Sequence, residues 1–197
     1  MALVNYSKER IGEVIAANTR SCEVQCYHLY NAPPLGTFIR AGDPPIYAVV
    51  MEVSTEALDP GRPIIARGQN EANEEDIYRN NPQLDRLLST RLTGLIIGFT
   101  QDKKLCPGLA PLPPRIHSFV YPCSAPEIIA LTDSSIFLNL LLHGGAPSPD
   151  EVIVASLRIA MEHVNGDDDF LVRIGKILAL ELWGELPRLN AILRRLS

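Results

Sequence analysis

An α+β protein is predicted, with short β-strands filling the first half of the chain and helices the second. Three observations carry this. From Ile11 to about Gln101 the apolar residues come in short runs cut by Gly, Pro and Asn, which is the pattern of strands and turns. Prolines then crowd Lys103 to Pro122. After Cys123 the apolar residues are Leu-rich and recur at helical spacing.

The elements follow in order. Glu13–Ala17 reads as a first strand, led by Ile11-Gly12, and Asn18–Ser21 as a turn. Cys22–Tyr30 is rich in β-formers and makes a second strand. Asn31-Ala-Pro-Pro-Leu-Gly36 breaks it, because proline donates no ladder hydrogen bond. Thr37–Arg40 is a short third strand, and Gly42-Asp-Pro-Pro45 turns the chain. Ile46–Val53 is the strongest strand, and its nearly continuous apolar run implies burial on both faces or a wall under a covering element. Asp59-Pro-Gly61 is a turn, with Pro presetting φ and Gly tolerating positive φ. Pro63–Ala66 is expected as a fifth strand and Leu92–Phe99 as the closing sixth.

A helical insertion near residues 73–89 interrupts the strands. Asn73 followed by Glu74, Glu75 and Asp76 places acids at the positive end of a helix dipole, and Asn81-Pro82 repeats the start signal before the Leu84, Leu87, Leu88 stripe. Residues 106–123 read as a Pro-rich connector between a domain over 1–105 and a helical domain over 124–197. Ile116, Phe119, Val120 and Tyr121 are nevertheless too apolar for a free linker. Ser124-Ala-Pro-Glu127 and Ser148-Pro-Asp-Glu151 both fit the capping box, the second with Pro149 at the first helical position. Ile153, Leu157, Ala160, Met161 and Val164 form one apolar face, and Asn165-Gly166 ends that helix. Asp167-Asp-Asp169 starts the next, which is apolar nearly all round through Trp183 and so should be central or meet a partner. Pro187 opens a last helix, with Arg194 and Arg195 at its negative end.

Composition excludes several classes. A net charge of −5 and a pI of about 5.4 lack the general basic footprint of a nucleic-acid binder, and the acidic excess lies in residues 125–197. No C-x-x-C spacing joins Cys22, Cys26, Cys106 and Cys123, and no signal peptide is visible, so free thiols in a cytoplasmic protein are expected. Apolar runs such as Ile136–Leu142 are too short for a membrane span.

Candidate chemistry is sparse. No G-x-x-x-x-G-K-[ST] loop is present, since Gly175-Lys176 has Phe170 where the first glycine belongs and Ile177 where Ser or Thr belongs. No G-x-S-x-G occurs, and Ser134 and Ser135 beside Asp133 and His143 fit a helix cap and a surface histidine better than a triad. Cys22, Cys26 and His28 share a strand face, with His117 and Cys123 as further donors that would suit zinc. On an extended strand, however, Cys22 and Cys26 stand about 13 Å apart, so buried free thiols are favoured and no metal or other cofactor is expected. Glu71, Glu74, Glu75 and Asp76 read as a solvated helix start beside Arg79. Tyr27, Tyr30, Phe38 and Tyr47 could stack nucleotide bases, although core or rim packing suits them better. Arg62, Arg67, Arg79, Arg86 and Arg91 recur in the middle segment, where they could meet a partner or a phosphate or simply pair with the neighbouring acids; Arg62, Arg67 and Arg79, with Trp183, make the candidate partner surface.

The strand series Gly12-Glu-Val-Ile15, Pro33-Pro-Leu-Gly-Thr-Phe-Ile39, Ile46-Tyr-Ala-Val-Val50, Pro63-Ile-Ile-Ala-Arg-Gly68 and Leu95-Ile-Ile-Gly-Phe99 resembles the HAS barrel, named for HerA translocases and rotary ATP synthases. The resemblance covers about the first half of the chain and implies a small six-stranded antiparallel barrel. In that family a nucleotide-binding domain follows the barrel, whereas here a helical segment follows, so the family's catalytic residues have no counterpart. What carries over is the barrel's role in contact between subunits and in docking accessory proteins. The implied protein is a stand-alone bacterial member, non-enzymatic, whose partner is another copy of itself or a separate ring ATPase. A single-stranded nucleic-acid barrel and a Cys/His metal protein are the alternatives.

Overall fold

A computed structural model describes residues 9–164 and 168–196. The chain forms β1 (Gly12–Ala17), β2 (Ser21–Cys26), β3 (Phe38–Ala41), β4 (Ile46–Ala57), α1 (Glu74–Asn80), α2 (Leu84–Leu87), β5 (Leu88–Gln101), β6 (Lys104–Pro107) and β7 (Phe119–Pro122). Five helices complete it: α3 (Ala125–Thr132), α4 (Ser135–His143), α5 (Pro149–His163), α6 (Asp168–Glu181) and α7 (Leu186–Leu196).

Six strands close on themselves. The order around the ring is β1, β2, β5, β4, β3, β7 and back to β1, with every pairing antiparallel. β6 stands outside the ring, paired with the end of β5. Closure removes the free edges that an open sheet of this size would present. β4 and β5 outrun the barrel, and pairs such as Thr55 with Thr90 and Ala57 with Leu88 continue the hairpin. A register shift between Val50 and Glu52 bends β4 as it leaves the wall.

Two apolar cores use opposite faces of the same strands. Val14, Cys22, Val24, Ile39, Ala48, Val50, Leu92, Ile96 and Val120 fill the barrel interior. Phe38, Tyr47, Val49, Leu95 and Ile97 point outward and join Leu131, Phe137, Leu141, Ile153 and Leu157 of the helices. Period-two alternation therefore divides β4 between both cores, which explains its unbroken apolar run. The helices share one continuous core with the outer wall of the barrel. Gly98 lets α3 sit close, since a Cβ there would come 2.8 Å from Leu131 Cδ2.

The sequence reading needs several corrections. Pro63–Ala66 joins no strand and lies exposed; its proline cannot donate to a ladder. The missing ring member is β7, which lies in the stretch expected as a connector. Its four residues, ending at Pro122, are too few to show alternation. The second strand stops at Cys26, and the chain turns through Tyr30, whose φ is 62°. Asn81 does not start a helix. It closes α1, its amide hydrogen-bonding Tyr78 O at 3.2 Å and its side-chain Nδ2 donating to Ile77 O at 2.9 Å. α6 is buried along one face only, through Phe170, Ile174 and Leu178, leaving Val172 and Leu180 exposed. The expected helix end at Asn165-Gly166 lies outside the described residues.

Capping signals divide in an instructive way. Asn73 Oδ1 accepts from Asp76 N at 3.0 Å, and Glu127 accepts from the Ser124 amide at 2.7 Å and its hydroxyl at 2.8 Å. Ser148 precedes α5 with Pro149 in the first turn, as expected, but its hydroxyl makes no cap bond. Glu151 is instead taken by Arg195, whose Nη1 donates to Oε1 at 2.7 Å. A tertiary ion pair has displaced a local reciprocal bond. Gly175 offers a contrast with these anchored positions: a Cβ there meets nothing within 4 Å. Gly175→Ala should therefore stabilise the protein by about 0.5–1 kcal/mol, because glycine in a helix interior costs conformational entropy. A rise in the urea-denaturation midpoint that, multiplied by an unchanged m-value, equals that free energy checks it.

Candidate interaction surface

The thiols and imidazoles proposed as metal donors are not brought together. Cys22 and Cys26 point into the barrel, whereas Cys123 belongs to the core between barrel and helices. His28 is exposed beyond the end of β2, and His117 is an exposed residue with φ 65° whose Nδ1 sits 2.9 Å from Glu13 Oε2. Among the described residues no three His, Cys, Asp or Glu side chains form a metal-binding group. The thiols are ordinary core hydrophobes. Burial pushes Cys22 up to about 12 and Cys26 up to about 11, and raises Cys123 well above the normal thiol range.

These shifts predict an alkaline instability. Folding holds both barrel thiols protonated, while the unfolded chain releases their protons from pH 9 upward. The native state then carries the extra protons, so stability is complete below pH 9 and falls as pH rises toward 11–12. Urea titrations from pH 8 to 11 should show this decline, and Cys22→Ala should lessen it, with Cys26 and Cys123 supplying the remainder. In native protein at neutral pH, half-buried Cys106 should react with a thiol reagent first and the other three only on unfolding.

The remaining polar candidates disperse. Asp133 pairs with Arg173 at 2.6 Å, Ser134 caps α4 by accepting from Ile136 N at 3.2 Å, and His143 faces Glu181 at 4.0 Å, so no triad assembles. In the acidic stretch, Asp76 holds Arg79 at 2.5 Å and Glu71 accepts from Asn80 at 3.1 Å. Phe38 and Tyr47 are buried and cannot stack bases, and the Tyr47 hydroxyl meets Thr100 Oγ1 at 3.1 Å. Tyr27 and Tyr30 are exposed, but Tyr27 donates to Glu13 at 2.7 Å and Tyr30 packs edge-on against Tyr78 with ring centres 6.1 Å apart.

The four residues named as a partner surface fall in three places. Arg62 and Arg67 line one groove at the tip of the β4–β5 hairpin, formed by the excursion over residues 58–87. Arg79 stands on α1, engaged with Asp76. Trp183 sits in the turn between α6 and α7, 88% exposed. The groove is made of two adjoining hollows of about 310 Å³ and 240 Å³, which share Ile64, Ile65, Arg67, Leu84 and Leu88. Ile64 and Ile65 remain 58% and 63% exposed. Beside Trp183, Leu180 is 75% exposed and Leu186 is also in solvent. The Gly184 φ of 91° lets the chain reverse there.

Arg86, one of the recurring arginines of the middle segment, is a third cation on the groove. Sequence reasoning missed two features. On the wall of β1 and β7, the Arg10 guanidinium lies 3.9 Å from the centre of the Phe119 ring and its Nε donates to Tyr121 at 3.1 Å. A cavity of about 350 Å³ lies at the barrel end between the β3–β4 turn and Ala110–Arg115. The run Pro111-Leu-Pro-Pro114 was the available signal, because so stiff a segment must bridge something rather than coil. Among the described residues no single helix is long and apolar enough to cross a membrane. No protein-family model matches this chain, and no curated protein sequence is significantly similar to it.

Proposed function

We propose that this protein is a non-catalytic protein-binding and assembly module, an accessory to a HerA-type or other ring ATPase. The observation that carries the reading is the chain's one tryptophan, left 88% exposed between two exposed leucines in the turn that follows buried Leu182. Tryptophan and arginine are the residue types that dominate binding hot spots, and the second open surface presents arginines over exposed isoleucines. The closed barrel is a rigid frame for both surfaces, and its strand series resembles the HAS barrel, whose role is docking. The protonated buried thiols Cys22, Cys26 and Cys123 and the solvent-facing His28, His117 and His143 offer no activated nucleophile.

Affinity purification from the native host tests this, with wild type run beside an Ile65→Asp, Trp183→Ala double variant. A ring ATPase retained by wild type, lost by the variant and bound again after separate purification is expected. Recovery of no partner, or equal recovery by both forms, would sink the proposal.

A further inference from the structure

The two open apolar surfaces differ in charge. Within the groove lining three guanidiniums, Arg62, Arg67 and Arg86, face one carboxylate, Asp59. Of these arginines Asp59 reaches Arg62 alone, at 3.6 Å, while its Oδ1 accepts from Gly61 N at 2.9 Å. Arg67 donates to the neutral side chain of Asn81 at 3.2 Å, and Arg86 has no carboxylate partner among the described residues. The Trp183 turn is flanked instead by Glu181 and Glu185. Glu181 accepts from the neutral amide of Asn139 at 2.8 Å and faces His143 at 4.0 Å. Glu185 shares Arg188 with Asp150, whose carboxylate takes that guanidinium at 2.7 Å and 2.9 Å, so the turn stays net negative.

We infer that these surfaces fit each other, and that the Trp183 turn of one copy docks in the Arg-walled groove of a second copy. This rests on the protein-binding reading above and names one partner for it. The complementarity has three parts. An exposed indole is the best aromatic partner for a guanidinium. Leu180 and Leu186 match a floor of Ile64, Ile65 and Leu84. Glutamates meet arginines around the rim.

The contact forms between copies. α6 packs on α4, and α7 on α5, over the outer wall of the barrel, whereas the groove lies at the tip of the hairpin that outruns the barrel. Because the two surfaces differ, the contact is head-to-tail and leaves one turn and one groove open on each pair, so a ring closes or a chain grows. Three large side chains and a rim bury less than a standard interface, so a dissociation constant on the order of 10 μM is expected.

The lone tryptophan reports its own occupancy. Full-length protein is followed by sedimentation and by Trp183 emission from roughly 1 to 200 μM, a range that brackets that constant. Mass should rise and emission should move to shorter wavelength together. Trp183→Ala and Ile65→Asp should each stay monomeric with an unchanged circular dichroism spectrum, both sites being exposed. Mixing those two variants should restore a one-to-one pair, because one supplies an intact groove and the other an intact turn. Arg67→Glu with Arg86→Glu should weaken association more than tenfold, and Lys at both positions should preserve most of it. Wild type that stays monomeric with unshifted emission would overturn the inference, as would a mixture that fails to pair. A monomer that still retains a ring ATPase would remove the self-contact and leave the protein-binding reading standing.

Discussion

Phe137→Ala is expected to destabilise the protein by about 3–5 kcal/mol and to loosen the barrel and the helices together. Phe137 lies on α4 and is fully buried, and its ring meets that of Phe38 on β3 with centres 5.6 Å apart at 35°. The pair stands at the seam where the outward strand face joins the helical layer. Truncation removes the transfer energy of a ring and leaves a cavity that backbone on both sides holds open. Against a total stability of about 5–15 kcal/mol the loss is large. Phe38→Ala should cost a similar amount, and the double variant less than the sum, because both remove one shared contact. Amide hydrogen exchange is the informative measurement. Protection in β3 and in α5 should fall in parallel. Barrel amides that stay protected while the helices exchange freely would show two independent units.

Gly12→Ala should do at least as much damage from a single methyl group. A Cβ at Gly12 would stand 2.0 Å from Gln25 O and 2.9 Å from Cys26 Cα, both backbone atoms that no rotamer change can move. β1 cannot retreat, because Gly12 pairs with Cys26 on one side and with Val120 on the other. Relief at β2 therefore compresses β7, and the ring must open at one seam. The expected loss is about 4 kcal/mol or more, which lowers the thermal midpoint by about 10 °C or more. Thermal denaturation checks this, with Gly175→Ala as the counterpart where a methyl group meets open space. A Gly12→Ala protein that melts within a degree or two of wild type would mean that the β1–β2 seam has slack.

The legible parts of this protein were those governed by neighbours along the chain. Asn73 and Ser124 announced their helices because a cap needs only residues within one turn. The apolar run of Ile46–Val53 announced two buried faces, and it holds as far as Val50, since a period of two sends Ala48 and Val50 inward and Tyr47 and Val49 outward, whereas Glu52 and Val53 are exposed. Of the surface, Trp183, Arg62, Arg67 and Arg86 could be named from residue type, yet nothing local grouped these arginines with Ile64 and Ile65. That grouping exists because the register pairing Ala57 with Leu88 brings both ends of the 58–87 excursion to one place.

Residue order alone determined the division into strands and helices, the caps that begin α1 and α3, and the acidic character of the second half. Only the tertiary structure decided which segment closes the barrel, choosing Phe119–Pro122 over Pro63–Ala66, and which apolar side chains are left in water. Closure depends on hydrogen bonds between strands more than a hundred positions apart, as between Glu13 and Phe119. Exposure depends on what covers a face, and a helix with apolar residues all round carries no local mark of which side its neighbours will bury.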